Sequence, residues 1–445
     1  MPSSLVVWTM TALLLVAVLT ERWWGPSLAA RGVQPRAWPW RWWLVGYPQT
    51  SLRIWWTWKK LADLNGLAIS LMPRQRVYGG IVLQGTALRL KAPRRSWPVP
   101  TRTGLRMRVF LHPGQTPGPY VEAARAMEHA WQVHAVRVRS TIRGQVMITV
   151  TADDPLVDGS STRPASPRWE LLSADVGRTE EGRPWLIDFR KVPHWLITGA
   201  TQSGKSTLLA SLVRELAPQP VALLGIDCKG GMELGLFGGR LTALATDRTQ
   251  AIGLLSGVLD EIQERILTCR EAGKRSVWDL PETARPVPLV VIVDEIAELY
   301  LTDGSRQPKD DADRCGTLLL RVAQLGAALG VHLVVAGQRV GSDIGPRVTA
   351  LRAQLGGRIA HRAHDEASAE MTLGDVNPDA VFTAQTITED EQGVAVVAMN
   401  GRWTRARSRV VSVSDAAAIA ALDPPVNPFL IQPDPVEFTK GGEKE

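Results

Sequence analysis

The hydrophobic pattern of the second half of the chain is that of a sheet buried on both faces. Two long stretches with helical spacing, residues 248–273 and 314–329, alternate with short apolar runs. Short apolar runs separated by helices are typical of buried parallel strands. We therefore predict an α/β domain over residues 170–412. The apolar runs lie at His194–Thr198, Val221–Ile226, Leu289–Val293 and His332–Ala336.

A different pattern precedes this domain. Leu105–Leu111 and Gln145–Thr151 alternate apolar and polar residues, and Pro119–Gln132 carries apolar residues at helical spacing. Alternation is the pattern of a strand with one buried face. We predict a linker and a small α+β domain over residues 61–155. The segment Pro155–Pro167, rich in Ser, Pro, Gly and Asp, marks the boundary.

The N-terminus has the composition of a membrane anchor. Pro2–Thr20 carries no charge and is mostly apolar, and ~20 such residues are enough to span a bilayer. Ten of the 17 tryptophans precede residue 60, and indole rings favour the headgroup zone. We predict an anchor and a Trp-rich interfacial segment over residues 1–60. A second span within Trp38–Trp58 remains the alternative.

Charge is distributed unevenly along the chain. Residues 1–110 contain 16 Lys and Arg but two Asp and Glu, whereas the whole chain has a net charge of +7. The basic residues follow the apolar segment, so the positive-inside rule predicts a cell-membrane protein whose α/β domain is cytoplasmic. The basic excess indicates an anionic partner, either lipid or nucleic acid. The three widely spaced cysteines indicate neither a disulfide scaffold nor a zinc ribbon.

The first apolar run leads into a glycine-rich loop that is followed by a helical segment. The loop matches G-x-x-x-x-G-K-[ST] in full, and the strand–loop–helix context is that of a Walker A site. We expect Lys205 to reach the β and γ phosphates of ATP and the Ser206 hydroxyl to ligate Mg²⁺. The predicted nucleotide-binding residues are Gly199, Ala200, Thr201, Gln202, Ser203, Gly204, Lys205, Ser206 and Thr207.

Two further strand ends carry polar residues suited to ATP hydrolysis. The run Leu289–Val293 ends in Asp294 and Glu295, which we interpret as a Walker B pair. Asp294 would hold Mg²⁺ and Glu295 would be the general base for the attacking water. Gln338 follows another strand and is a candidate to sense the γ-phosphate or orient that water. Ligands of open α/β sheets bind at the carboxyl ends of the strands, so we expect these residues to converge.

Several segments, in this order along the chain, resemble the FtsK/SpoIIIE family of DNA translocases. They are similar to the family's G-x-D-x-x-G-x-P element, its D-P-K-like strand end, its I-D-E-x-A-x-L Walker B, its G-I-H-L-I-x-A-T-Q-R-P strand and its T-R-I-A-F-R-V segment. Cys228, Gly337 and Val340 depart from these patterns, which fits the TraB-like conjugative translocases of actinobacteria better than chromosomal FtsK. The matching segments are Gly177–Gly182, Asp227–Gly231, Val293–Leu299, Gly330–Arg339 and Gly357–Arg362.

The resemblance implies a RecA-like P-loop motor core that forms a hexameric ring and moves double-stranded DNA. ATP sites in such rings lie between subunits, and Arg358 and Arg362 are the candidates for an arginine that acts on a neighbouring subunit's ATP. A membrane-anchored motor of this kind fits conjugative transfer of a plasmid or integrative element. Residues 413–445 are Pro-rich at their centre and predicted to be a disordered tail, too short for a sequence-reading module. A separate DNA-recognition protein is therefore an expected partner.

Two alternatives remain open from the sequence. Protein-secretion ATPases of the type VII kind have similar cores, although they usually carry several tandem ATPase domains and this chain shows one Walker A motif. A single-stranded DNA coupling protein that works with a relaxase would also need such a core. The complete pair of nucleotide motifs argues against a scaffold without motor activity.

Overall fold

The computed structural model of the chain describes two units, which divide between Pro155 and Leu156. Among the described residues, no helix is both long and apolar enough to cross a membrane. The predicted anchor, Pro2–Thr20, lies outside the described residues. The structure describes residues 42–71, 76–78, 81–83, 89–101, 103–154, 156, 170–302, 306–341, 343–345, 347–363, 365–374 and 378–427.

Within its described residues, the first unit combines three helices with short antiparallel strands, and a π-helical turn at Trp42–Gly46 precedes the first of these helices. The helices are α1 (Tyr47–Leu64), α2 (Gly118–Glu122) and α3 (Ala124–Trp131). The strands are β1 (Ile69–Leu71), β2 (Arg76–Tyr78), β3 (Ile81–Leu83), β4 (Arg89–Lys91), β5 (Arg94–Arg95), β6 (Val99–Pro100), β7 (Gly104–Phe110), β8 (Ala135–Ile142) and β9 (Gln145–Thr151).

The main sheet of this unit has one buried face. Its strand order is β5-β7-β9-β8, with β6 also paired to β7. Along β7, Leu105, Met107 and Val109 are buried, whereas Arg106 and Arg108 are exposed. The buried residues pack with side chains of α1 and α3 in one apolar cluster. The period-2 pattern of the sequence thus orients the sheet, because successive side chains of a strand point to opposite faces.

Helix α1 belongs to this unit, which corrects the predicted domain boundary at residue 60. Ile54 and Trp58 are buried in the apolar cluster of the unit, and the Trp58 indole Nε1 donates to the Pro93 carbonyl at 2.9 Å. Trp55 and Trp56, by contrast, are 61% and 72% exposed. The prediction counted tryptophans and missed their helical spacing, which gives α1 a buried stripe and an exposed one. A boundary at residue 60 would cut the helix.

The second unit is built on a ten-stranded sheet with helices around it. Its strands are β10 (Ser173–Thr179), β11 (Pro184–Asp188), β12 (His194–Thr198), β13 (Ala222–Ile226), β14 (Ala243–Ala245), β15 (Leu289–Val293), β16 (Val331–Gly337), β17 (Gly357–His361), β18 (Val394–Met399) and β19 (Arg402–Ser408). Its helices are α4 (Lys205–Leu216), α5 (Arg248–Glu271), α6 (Arg306–Leu325), α7 (Val348–Gln354), α8 (Glu366–Leu373), α9 (Pro378–Gln385) and α10 (Val413–Ala420).

The sheet order is β11-β10-β19-β18-β17-β12-β16-β15-β13-β14. The six strands from β17 to β14 run parallel, and the other four extend the sheet in antiparallel fashion. Both faces of the parallel part are covered: Leu223 of β13 packs in one apolar cluster and Leu224 in the other. This double burial explains the continuous apolar runs, and it brings the carboxyl ends of the strands to one edge.

Helix α10 corrects the predicted disordered tail over residues 413–445. The Ser412 hydroxyl accepts a hydrogen bond from the Asp415 amide at 3.0 Å and caps the helix. Ala416, Ala417 and Ala420 are buried in the same apolar cluster as residues of α4. The prediction gave weight to the prolines of the tail, but these begin only at Pro424, and the alanine-rich stretch before them favours a helix. Residues 428–445 lie outside the described residues.

Candidate nucleotide site

The glycine-rich loop predicted as Walker A connects β12 to α4 at the carboxyl edge of the sheet. The Gly199 amide donates to the Gly337 carbonyl at 3.3 Å, and the Ala200 amide donates to the Arg362 carbonyl at 2.9 Å. These bonds fix the loop to β16 and to the residue after β17. Helix α4 begins at Lys205, and the first amides of a helix have no carbonyl partner within it. The loop therefore presents backbone N–H groups at a helix N-terminus, which suits an anion.

Gly204 has no room for a side chain. Its φ is 106°, and a Cβ atom there would lie 2.5 Å from the amide nitrogen of Gly393. Gly393 in turn donates its N–H to the Ser203 carbonyl at 2.9 Å. The segment before β18 thus packs directly against the loop, and only glycine satisfies both the backbone angle and the close approach.

Lys205 and Glu295 meet across the sheet edge. The Lys205 Nζ donates to the Asp294 carbonyl at 3.1 Å and lies 3.4 Å from Glu295 Oε2. Glu295 Oε1 accepts the backbone N–H of Gln338 at 3.3 Å. Residues at the ends of β12, β15 and β16 therefore lie close together as predicted, and the Glu295 carboxylate lies at their centre. The Gln338 side chain is exposed beside it at the end of β16.

Asp294 has the properties of a carboxylate placed for a cation. Its Oδ1 is buried and has no hydrogen-bond partner among the described residues. Burial raises the pKa of Asp294, against the lowering effect of Lys205. Asp294, Ser206 and Glu233 line one small pocket. A divalent cation would satisfy the unpartnered oxygen and offset the cost of burying charge, so the donor set fits Mg²⁺.

Two residues of the site, Asp227 and Lys229, carried no predicted role, although their segment, Asp227–Gly231, was noted. Asp227 Oδ2 accepts the amides of Glu233 and Leu234 at 2.8 and 3.0 Å. Asp227 Oδ1 accepts the amide of Lys229 at 3.2 Å. This carboxylate thereby shapes the loop that brings the Lys229 Nζ to 3.5 Å from Glu295 Oε2. The signal was present in the sequence, because Asp227 follows a buried strand that pairs with the Walker B strand.

Arg358 does not have the position predicted for it. Its side chain is 7% exposed, and its Nε, Nη1 and Nη2 donate to the carbonyls of Leu355, Thr372 and Arg352 at 2.6, 3.1 and 2.8 Å. An arginine that acts on a neighbouring subunit must project from the surface, so we correct this prediction: Arg358 binds backbone within its own domain. Its sequence neighbour Arg362 contacts the Walker A loop of its own chain, where Nη2 donates to the Thr201 carbonyl at 3.2 Å.

Two family descriptions match the chain. The actinomycete conjugal transfer protein N-terminal domain matches residues 27–152, and the FtsK/SpoIIIE family matches residues 155–283 and 278–342. The transfer protein TraSA of Streptomyces ambofaciens is 41% identical over 332 residues, and the match covers 72% of this chain and 79% of that protein. The chain belongs to the FtsK/SpoIIIE family. It is thus an ATPase of this family of DNA translocases and a homologue of a conjugal transfer protein.

Other similar proteins match the chain over different lengths. A sporulation regulatory protein of Streptomyces azureus is 43% identical over 262 residues, which covers 59% of this chain and 84% of that protein. The DNA translocase FtsK of Pasteurella multocida is 26% identical, and the match covers 64% of this chain but 34% of that protein. Among solved structures, the pCW3 conjugation coupling protein TcpA has a TM-score of 0.55 at 18% identity, covering 84% of this chain and 99% of that chain. That similarity shows the fold.

Proposed function

We propose that this chain is a membrane-anchored, ATP-driven translocase of double-stranded DNA that serves conjugal transfer and works as a homohexameric ring. The observation that carries the proposal is the meeting of Lys205, Asp294 and Glu295 at the carboxyl edge of a sheet in an FtsK/SpoIIIE chain related to TraSA. The residues of the nucleotide site support ATP hydrolysis as the source of energy, and the similarity to the relatives indicates DNA as the class of substrate.

The Walker A loop, residues 199–207, binds the phosphates in this proposal. Its backbone N–H groups and the N-terminus of α4 face the anionic ligand, and Lys205 places a positive charge beside it. Ser206 and Asp294 hold Mg²⁺ together with the phosphates. When bound, this cation neutralises phosphate charge and polarises the bond to be broken. The shared pocket of Ser206 and Asp294 supports this pairing.

Glu295 acts as the general base and takes the proton of the attacking water. Its carboxylate is buried at the sheet edge, where a fixed position and a low dielectric favour directed proton transfer. Lys205 and Lys229 form ion pairs with Oε2 of this carboxylate, and the backbone N–H of Gln338 donates to Oε1. The exposed Gln338 side chain is then placed to orient the water.

Duplex DNA is the cargo that the FtsK/SpoIIIE relationship favours, and the conjugal relative favours transfer between cells as the task. Membrane anchoring rests on the uncharged segment Pro2–Thr20 and on the basic excess of residues 1–110. A separate protein that recognises the DNA to be transferred is part of the proposal.

The proposal is tested by ATPase assays with defined DNA. The purified protein should hydrolyse ATP faster in the presence of duplex DNA than without DNA, and single strands of the same sequence should stimulate it less. Stimulation by single strands alone would replace this proposal with a single-stranded DNA coupling protein. Stimulation by neither form would favour protein secretion.

A further inference from the structure

The open face of the first unit's sheet carries arginines in cross-strand rows. The face opposite the apolar core receives every second residue of β7, β8 and β9. Arg106 pairs with Thr149, which pairs with Arg137 on the far strand, and Arg108, Met147 and Arg139 form the next row in the same way. The third row contains Arg94, which pairs with Phe110. Five arginines thus share one face of this five-stranded sheet.

These arginines are displayed to solvent to different degrees. Arg94, Arg106, Arg108 and Arg139 are exposed, and Arg137 is half-buried. Thr149 and Met147 occupy the middle of the first two rows, so the outward positions of β9 in these rows are uncharged. A sheet with one buried face usually carries a mixture of acidic and basic residues on its solvent-exposed face. Here the outward positions of β5, β7, β8 and β9 include five cations, and none of these positions is an Asp or Glu.

The dimensions of the array suit a polyanion with closely spaced charges. Arg106 and Arg108 are separated by two residues of one strand, or ~7 Å, and β8 lies two strands away at ~10 Å. Double-stranded DNA carries a negative charge every ~1.7 Å along its axis, so several phosphates would fall within reach of the array. Arginine binds a phosphate with better geometry than lysine does, because its planar guanidinium donates two parallel hydrogen bonds.

We propose that this arginine face binds the phosphate backbone of duplex DNA as a contact outside the motor core. The inference rests on the proposed function, since it takes duplex DNA as the cargo. Arginine rows on a sheet carry no means of reading bases, so the contact is independent of sequence and sensitive to salt. It would hold the DNA while the ATPase unit changes its own grip.

The test compares matched double variants of the full chain. Arg106→Gln with Arg108→Gln removes two charges from the arginine face. Lys59→Gln with Lys60→Gln removes two charges from the exposed side of α1, which packs on the other face of the sheet through its buried side. Binding of a short fluorescent duplex is measured by anisotropy without ATP, over about 50 to 200 mM salt. Circular dichroism melting checks that each variant folds.

The arginine double variant should bind duplex more weakly at every salt concentration. Its plot of log affinity against log salt should be shallower by about two, because each lost phosphate contact removes close to one unit of slope. Between the lowest and the highest salt concentration, the wild type should lose on the order of ten times more affinity, as a fold-change, than the variant loses. The lysine double variant should match the wild type. The pair Arg106→Lys and Arg108→Lys should keep the wild-type slope, and this result also serves if the glutamine variant fails to fold.

Three results would contradict the inference. If the wild type binds duplex and the glutamine variant has the same affinity and slope, the arginine face is not a DNA site and the translocase proposal is unaffected. If the glutamine variant keeps its duplex binding but loses binding to phosphatidylglycerol vesicles, the face binds a membrane surface instead. If the wild type itself fails to bind duplex, the proposed function fails and the inference fails with it.

Discussion

In the proposed mechanism, hydrolysis depends most directly on the carboxylate of Glu295. Glu295 is buried. Its Oε1 accepts a hydrogen bond from the backbone N–H of Gln338 at 3.3 Å, and its Oε2 lies 3.4 and 3.5 Å from the Nζ atoms of Lys205 and Lys229. Such contacts fix the position of a base before the substrate arrives. A general base within hydrogen-bond reach of water contributes a factor of ~10² to 10⁴ in rate.

Replacement of this carboxylate by an amide separates binding from turnover. Glu295→Gln keeps the shape of the side chain and removes its basicity, so kcat for ATP should fall ~100-fold or more while ATP affinity changes little. The measurement is steady-state ATPase kinetics with a fluorescent nucleotide titration. The control is Glu282→Gln, an exposed glutamate in the loop before β15, which should have wild-type kinetics. Wild-type turnover by Glu295→Gln would remove the general base from this position.

Gly204 offers a second test at a single position. Gly204→Ala places a Cβ atom 2.5 Å from the Gly393 nitrogen at a φ of 106°, so the loop must move to accommodate it. ATP affinity should fall at least ~10-fold, because misplaced N–H groups no longer face the phosphates together. The control is Gly253→Ala within α5, where a Cβ meets no atom within 4 Å. That change should stabilise the helix by ~0.5 to 1 kcal/mol. Equal ATP affinity in both variants would contradict the packing argument.

Three buried histidines predict how stability responds to mild acid. Burial lowers the pKa of His194 and His361 to about 4 and that of His332 to about 3. Because the unfolded chain takes up these protons near pH ~6.5, the stabilisation is fully present above that pH and is lost as pH falls toward 4. Urea unfolding of the intact chain should therefore give a smaller free energy of unfolding at pH ~5.5 than at pH ~7.

The window for this measurement is set by groups that shift the other way. Burial raises the pKa of Asp175, Glu215 and Asp294, so protonation of these carboxyls favours the folded state at lower pH. These carboxyl contributions are common to the wild type and to a histidine variant, so the difference between their pH dependences from pH ~5.5 to ~7 isolates the histidine. His332→Phe, which retains a ring beside Phe189, should flatten the dependence. An unfolding free energy independent of pH in this range would contradict the burial of the three rings.

At the level of elements, helix α10 makes a testable contribution to the ATPase unit. Ala420→Asp buries a charge against α4 and should lower the free energy of unfolding by ~2 kcal/mol or more. Ala418 is exposed on the same helix, so Ala418→Asp should cost less than ~1 kcal/mol. Thermal or urea unfolding of the two variants gives the comparison. Equal losses would mean that α10 does not pack as described.

The parallel strands could be predicted from the sequence because burial on both faces leaves a direct pattern. The runs at His194–Thr198 and Leu289–Val293 coincide with β12 and β15. The convergence of the site residues could also be predicted, because the carboxyl ends of parallel strands lie at one edge of the sheet. Helix α10 was missed because alanine occupies both buried and exposed positions, so its spacing marks no buried face. The packing of α10 against α4 is what shows which side of the helix is buried.

Arginine roles were the least predictable feature of the site. Arg358 and Arg362 lie four residues apart in one motif, yet one binds backbone carbonyls in the interior and the other binds the Walker A loop. A guanidinium has five donors and a long flexible stem, so its sequence position sets its reach but not its partner. Lys229 escaped assignment for the same reason, since the turn formed around Asp227 is what aims it at Glu295.

At the scale of the whole molecule, the two units have different relations to the basic N-terminal quarter of the chain. The first unit contains helix α1, whose Ile54, Trp58 and Leu61 are core residues. The second unit contains every residue of the candidate nucleotide site. Membrane attachment and ATP hydrolysis should therefore be separable by truncation, provided that the cut respects α1.

Two truncations, placed on either side of α1, test this arrangement. Removal of residues 1–41 leaves α1 and the π-helical turn before it intact, so the first unit should fold and the protein should leave the membrane fraction. Removal of residues 1–64 deletes Trp58, whose indole bonds the Pro93 carbonyl, and exposes the apolar side of the sheet, so the product should aggregate or melt early. Fractionation, size-exclusion chromatography and duplex-stimulated ATPase assays report the outcomes. If the shorter deletion stays in membranes, the predicted anchor is wrong; if the longer one folds as well as the shorter, α1 is not part of the core. Because the two failures differ, each domain boundary can be judged independently.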